Sequence, residues 1–282
     1  MAAYNQHVSY VRSPILKPLL SPAQPQFYDS AAVGENEAGS YTLELPASRP
    51  GTARCPYIVA QLDDYQGLAR QDFRWRPPLT FSLRARMLNA HVPGTWGFGL
   101  WNDPFAMGVG GWGLRLPVLP NAAWFFYASP PNYLSFRDDL PAQGFLAAVF
   151  RSSQIPTPWL ALASPLLGMC LTPLTARLLR RWIAHFVRQD ALALDEFPFL
   201  TPARLAEWHA YRLTWRAEAV EFFVDGQRLL TTSVSPRGPL GLVLWLDNQY
   251  AAFRPDGQIA FGALPLASGS RLEAADLMLT NA

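Results

Sequence analysis

The chain has 282 residues, 50% hydrophobic and 16% charged, with 23 Lys and Arg against 21 Asp and Glu for a net charge of +2. This excludes a disordered, acidic or collagen-like protein, and the near-neutral balance argues against nucleic acid, whose binders carry clustered basic faces. The 26 prolines and 37 aromatic residues (10 Trp, 10 Tyr, 17 Phe) favour short strands joined by rigid turns over helices. Cys55 and Cys170 form neither a metal motif nor a disulfide framework. Met1 to Pro14 lacks the charged-then-apolar order of an export signal, so a cytoplasmic chain, at most peripheral to a membrane, is expected.

Residues 1–38, with Pro14, Pro18, Pro22 and Pro25, read as an N-terminal arm with little regular structure. Residues 39–140 read as the first part of a β-sandwich. Tyr41 to Leu45 and Leu79 to Met87 alternate apolar and polar positions, the mark of half-buried strands. Trp96 to Trp101 carries Gly97 and Gly99 on one face, and the aromatic run Ala122 to Ala128 suits a central strand buried on both faces. Residues 141–210 lose the two-residue period and are expected to be an α-helical insertion. In it Thr172-Pro173 gives a helix start, and Leu174, Leu178, Leu179, Trp182, Ile183, Phe186 and Val187 recur at helical spacing opposite Arg177, Arg180 and Arg181. Thr201-Pro202 would start a second, short helix. Residues 211–282 return to strands, with Asp225-Gly226 as a tight hairpin turn between Ala219–Val224 and Gln227–Val234. Pro239 to Trp245 and Leu272 to Leu279 follow as further strands.

Three stretches, Leu79 to Trp101, Trp208 to Leu230 and Arg271 to Asn281, resemble the concanavalin A-like lectin/glucanase superfamily, and within it the sandwich of glycoside hydrolase family 16. The middle stretch is the most specific: Trp-His-Ala-Tyr-Arg-Leu-Thr-Trp-Arg, then Phe-Phe-Val-Asp-Gly-Gln. The resemblance covers about half of the chain and implies an all-β, two-sheet antiparallel jelly-roll sandwich, here with a helical insertion. It also implies a concave cleft whose hydrolases carry Glu-x-Asp-x-Glu on a central strand. The strand in that place would be Ala122 to Ala128, which holds Trp124, Phe125, Phe126 and Tyr127 and no carboxylate.

The expected cleft is lined by Trp96, Trp101, Trp124, Tyr127 and Trp245, with Asn102, Asp247, Asn248 and Tyr250 as polar or stacking partners, a set suited to sugars with an apolar face and directed hydroxyls. The plainer reading of Asp247 and Asn248 is that they close a strand and cap a turn. The leading expectation is binding of a carbohydrate or glycolipid-like molecule without family-type hydrolysis. An enzyme with relocated acids, Asp103 and Asp247, under a helical lid is the alternative. A second alternative is a membrane-surface or partner-binding module using Trp159, Arg177, Arg180 and Arg181; the plainer reading is a helix packed on its own core. Asp138 and Asp139 are loop acids. Gly108 to Gly113 matches Gly-x-Gly-x-x-Gly, but Leu114-Arg115-Leu116-Pro117 cannot open the helix a dinucleotide site needs. The four histidines, His7, His91, His185 and His209, lie far apart, so no metal is expected, nor any cofactor, and no Gly-x-Ser-x-Gly elbow occurs.

Overall fold

A computed structural model of the chain describes residues 40–48, 55–88, 92–104, 118–134, 141–152, 200–201 and 203–281, with Arg177, Leu178 and Arg181 and the strand backbones of 17–20, 32–35 and 192–196. Two seven-stranded antiparallel sheets face each other. The first runs, edge to edge, β1 (Lys17–Leu20), β4 (Val59–Asp63), β13 (Gly241–Asp247), β6 (Thr95–Trp101), β7 (Ala122–Ala128), β8 (Gly144–Phe150) and β9 (Leu192–Glu196). The second runs β12 (Gln227–Thr232), β11 (Val220–Val224), β10 (His209–Trp215), β5 (Leu79–Met87), β16 (Ser270–Asn281), β3 (Tyr41–Leu45) and β2 (Ala32–Glu35). A separate hairpin, β14 (Gln249–Phe253) with β15 (Ile259–Ala263), follows β13.

Alternation decides which side chains meet between the sheets. In β5 the odd-numbered residues from Leu79 to Met87 are buried, while Thr80, Ser82, Arg84 and Arg86 take the other face. In the facing sheet Trp96, Phe98 and Leu100 of β6 and Ala123, Phe125 and Tyr127 of β7 point into the same core. Aromatic edges lock the layers together: Phe125 stands at 88° to Phe222, 5.0 Å away, and Phe98 at 65° to Tyr211, 4.9 Å away. The Asp-Gly turn forms as expected, with Asp225 at φ 51° and Gly226 at φ 79° joining β11 to β12. Asp225 also accepts the Ala210 N–H at 2.9 Å and holds His209 Nδ1 at 2.7 Å, tying the turn to the start of β10.

The all-β antiparallel architecture is as expected, but the α-helical insertion is not supported. The 141–210 stretch opens with β8 and contains β9, and the helix expected at Thr201 is a single 3₁₀ turn, Arg204–Ala206. Arg177, Leu178 and Arg181 have helical backbone, and the rest of 153–191 lies outside the described residues. The sequence misled because Gly-Phe-Leu-Ala-Ala-Val-Phe is apolar on both faces. As a strand its inward face (Phe145, Ala147, Val149) joins the core, and Leu146 and Ala148 pack on β7's outer face. The arm, too, contributes edge strands, β1 beside β4 and β2 beside β3.

Candidate functional site

The outer face of the first sheet is where β13, β6 and β7 bring together residues far apart in sequence. Register sets Trp245 opposite Gly97 and Gly97 opposite Phe126; one row away Val243 faces Gly99 and Gly99 faces Trp124. The glycines make room for rings. A Cβ at Gly97 would lie 2.6 Å from Cη2 of Trp245 and 2.4 Å from the Phe125 carbonyl, and one at Gly99 would lie 2.6 Å from Cβ of Trp124. Three half-buried indoles occupy this space: Trp101 and Trp245 are parallel within 5° at 6.4 Å, and Trp124 lies 5.7 Å from Trp101 and 5.5 Å from Trp245. Phe150 meets the far side of Trp124 edge-on, and Tyr65, laid over Gly241, meets Trp101 at 6.2 Å. The Trp124 indole nitrogen is shielded from solvent and meets no acceptor among the described residues.

Buried polar groups flank the rings. The Asp247 Oδ1 accepts the Thr95 N–H at 3.2 Å, the Thr95 hydroxyl at 2.9 Å and the Gln249 N–H at 3.2 Å. Its Oδ2 accepts the Tyr57 hydroxyl at 3.4 Å. Trp245 Nε1 donates to Thr95 Oγ1 at 3.0 Å. Burial pushes the Asp247 carboxyl up to about 7, although these bonds oppose the shift, and it raises the Tyr57 hydroxyl as well. On β4, Asp63 accepts Gln61 Nε2 at 3.0 Å and the Tyr65 N–H at 3.2 Å, and burial lifts it to about 6. Gln61 Nε2 also reaches the Tyr65 hydroxyl at 3.1 Å.

Asp247 therefore shapes stability as a function of pH. Between the ordinary value of 3.8 and about 7 the folded chain keeps a proton that the unfolded chain has released, so stability falls as pH rises across that window and is level above it. Asp247→Asn is expected to remove this slope, so that the wild type loses about 3 kcal/mol more than the variant between mildly acidic and neutral pH. Urea unfolding across the window measures it; parallel pH profiles would refute the assignment. The slope that Asp63 contributes, ending near 6, remains in both proteins.

Of the cleft residues expected from sequence, the structure brings Trp101, Trp124, Trp245 and Asp247 to this face. Trp96 and Tyr127 are corrections: they pair across β6 and β7, stack at 5.8 Å and are buried between the sheets. The period of two explains it, because Trp96 and Trp101, like Trp124 and Tyr127, are odd intervals apart and cannot share a face. Asn102 pins the 119–121 segment by donating to the Leu119 carbonyl and accepting the Asn121 N–H. Asn248 is fully buried and spans the Ile58 N–H and the carbonyls of Pro56 and Leu264. Tyr250 lies over Gly262 within the β14–β15 hairpin.

Asp103 is also a correction as the partner of Asp247. Asp247 pairs with Thr95 at the start of β6, whereas Asp103 follows its end. The strand's length, roughly 20 Å, separates them. Asp103 takes φ 48°, and its carbonyl accepts Arg70 Nη2 at 2.6 Å. Trp159, Arg180, Asp138, Asp139 and Gly108 to Gly113 lie outside the described residues. Arg177 and Arg181 are exposed, and Arg177 Nε donates to the Asp256 carbonyl. The sequence reading missed Gln61, Asp63, Tyr57, Tyr65 and Thr95. The alternation of Val-Ala-Gln-Leu-Asp in β4 was the available signal for the first two. Among the described residues no group of His, Cys, Asp and Glu could hold a metal ion, and no helix is long and apolar enough to cross a membrane.

No family model and no curated protein matches the sequence. In structure the chain is similar to a lichenase derived from a mouse hindgut metagenome, at 9% identity over 96% of this chain and 95% of that one, TM-score 0.47. It is similar to the Bacillus licheniformis beta-glucanase, at 10% identity over 89% and 82% of the two chains, TM-score 0.42. It is also similar to a pseudo beta-1,3-glucanase of Mycobacterium tuberculosis, at 12% identity over 92% and 84%, TM-score 0.45. These are proteins of the glucanase type that the sequence resembles.

Proposed function

We propose that this chain binds a carbohydrate on the outer face of its first sheet and does not cut it by a pair of carboxylates on β7. The observation that carries this reading is the cluster of Trp101, Trp124 and Trp245, three indoles within 6.4 Å of one another on a strand face floored by glycines. A pyranose ring has an apolar C–H face that stacks on an indole, while its hydroxyls need directed partners at the edge. Thr95 and Gln61 are polar groups at this edge, and the indole N–H of Trp124, a buried donor that meets no acceptor among the described residues, favours a ligand oxygen or a water that can take it.

The spacing of acids supports binding over hydrolysis. Asp63 faces Val243, and Asp247 faces Val59, which places these two buried carboxyls, both on described residues of this face, four residues out of register, roughly 13 Å along the strands. Retaining hydrolysis needs carboxyls about 5–5.5 Å apart and inverting hydrolysis about 6.5–9.5 Å. The outward positions of β7 carry Ala122, Trp124, Phe126 and Ala128 and offer no acid.

Titration calorimetry with laminarihexaose, cellohexaose and chitohexaose tests the proposal. Binding of at least one is expected, with about tenfold weakening in Trp245→Ala, a loss of about 1.4 kcal/mol, and no release of reducing ends. Absence of binding by all three at millimolar concentration, or affinity indifferent to Trp245, would refute it. Steady release of reducing ends that stops in Asp247→Asn would instead establish the enzyme reading.

A further inference from the structure

We propose that Thr95 and Asp247 are positioning residues for Trp245, forming a hydrogen-bond relay in which a buried carboxylate sets the orientation of one of the three stacking rings. The inference rests on the carbohydrate reading for its consequence but not for its geometry. The indole N–H of Trp245 donates to Thr95 Oγ1 at 3.0 Å, and the same hydroxyl donates to Asp247 Oδ1 at 2.9 Å. A hydroxyl can do both, accepting through a lone pair while its single proton goes onward. With Asp247 ionised, the second bond is charge-assisted, which fixes the hydroxyl rotor and leaves its lone pairs aimed at the indole.

The carboxylate is itself anchored. The N–H groups of Thr95 and Gln249, each 3.2 Å away, hold Oδ1 from β6 and from the start of β14, and Tyr57 reaches Oδ2 from the segment before β4. Among the described residues the titratable group bonded to Asp247 is Tyr57; β4 presents Val59 across from it. Cys55, on the same segment as Tyr57, accepts the Asn248 amide N–H at 3.5 Å. The contacts of Trp245 with Trp101 and Trp124 are apolar and give its indole nitrogen no direction. The relay adds a direction at the nitrogen. Since burial lifts Asp247 to about 7, the charge that strengthens the Thr95 bond changes across the neutral range, and the surroundings of the Trp245 indole N–H change with it.

The test follows the indole N–H of Trp245 by ¹H–¹⁵N correlation through neutral pH, the resonance being assigned by its loss in Trp245→Phe. In the wild type it is expected to shift through a single titration, and in Asp247→Asn to stay flat. Thr95→Val, which keeps the β-branched shape and the backbone N–H, should uncouple it and weaken laminarihexaose binding about tenfold. Thr95→Ser should restore both. A Thr95→Val protein whose indole signal still titrates and whose affinity matches the wild type would overturn the relay. So would a Thr95→Ser protein, folded by its dispersion of indole signals, that fails to restore the titration. If laminarihexaose does not bind the wild type, the carbohydrate reading loses that ligand, while the indole titration still decides the relay.

Discussion

Gly97→Ala is expected to destabilise the fold by about 3 kcal/mol, because it overpacks a close approach between β6 and β7. The added methyl would sit 2.4 Å from the Phe125 carbonyl, 2.9 Å from the Phe126 Cα and 2.6 Å from the Trp245 ring. Two of these three are backbone of β7, so the strain cannot be relieved by turning a side chain. The position has no positive φ, so the loss is steric and not conformational. Gly67→Ala separates the two effects: Gly67 has φ +81° and nothing within 4 Å of a Cβ, so its substitution should cost only the left-handed backbone, about 1 kcal/mol. Urea denaturation of both variants measures the difference. A Gly97→Ala protein no less stable than Gly67→Ala would show that β6 and β7 do not pack as described.

Asn248→Ala is expected to cost about 4 kcal/mol and to leave carbohydrate affinity unchanged wherever the protein remains folded. The Asn248 side chain accepts the Ile58 N–H at 2.8 Å and donates to the carbonyls of Pro56 at 2.9 Å and Leu264 at 3.0 Å. Its truncation leaves these groups without partners where water does not reach, since Asn248 is fully buried. Asn248→Asp keeps the acceptor for Ile58 but turns an oxygen toward two carbonyls, so it should be no milder. Thermal unfolding gives the stability, and calorimetry with laminarihexaose below the transition gives the affinity. A loss of affinity in a fully folded variant would return Asn248 to the binding residues.

Strands whose two faces differ were legible in the sequence. Leu79 to Met87 alternates because one face meets the core and the other carries Arg84 and Arg86, each ion-paired across to Asp276 or Glu273 of β16. Asp225-Gly226 was legible because its turn has a strong local preference. Gly144 to Phe150 was not, because a strand covered on both faces shows no period. Trp101, Trp124 and Trp245 share one face, whereas the parity of β6 and β7 turns Trp96 and Tyr127 into the core. Asn248 and Gln61 owe their roles to partners fixed by the tertiary pairing, some near and some remote in sequence: Ile58 stands 190 positions before Asn248, whereas Tyr65 is only four beyond Gln61. Local pattern is silent on the remote ones.

The pairing of β6 with β13 also bears on how the chain is made. Ala122 to Ala128 leaves the ribosome about 120 residues before Asp247, an interval of roughly 6–24 s at ordinary rates of synthesis. Throughout it, β6 offers an open edge beside Ala-Ala-Trp-Phe-Phe-Tyr-Ala, a ribbon with no charge, no proline and high strand preference, the composition that sticks to its own copies. The nascent chain thus passes through a stage in which β6, beside this uncharged ribbon, is still without its β13 neighbour.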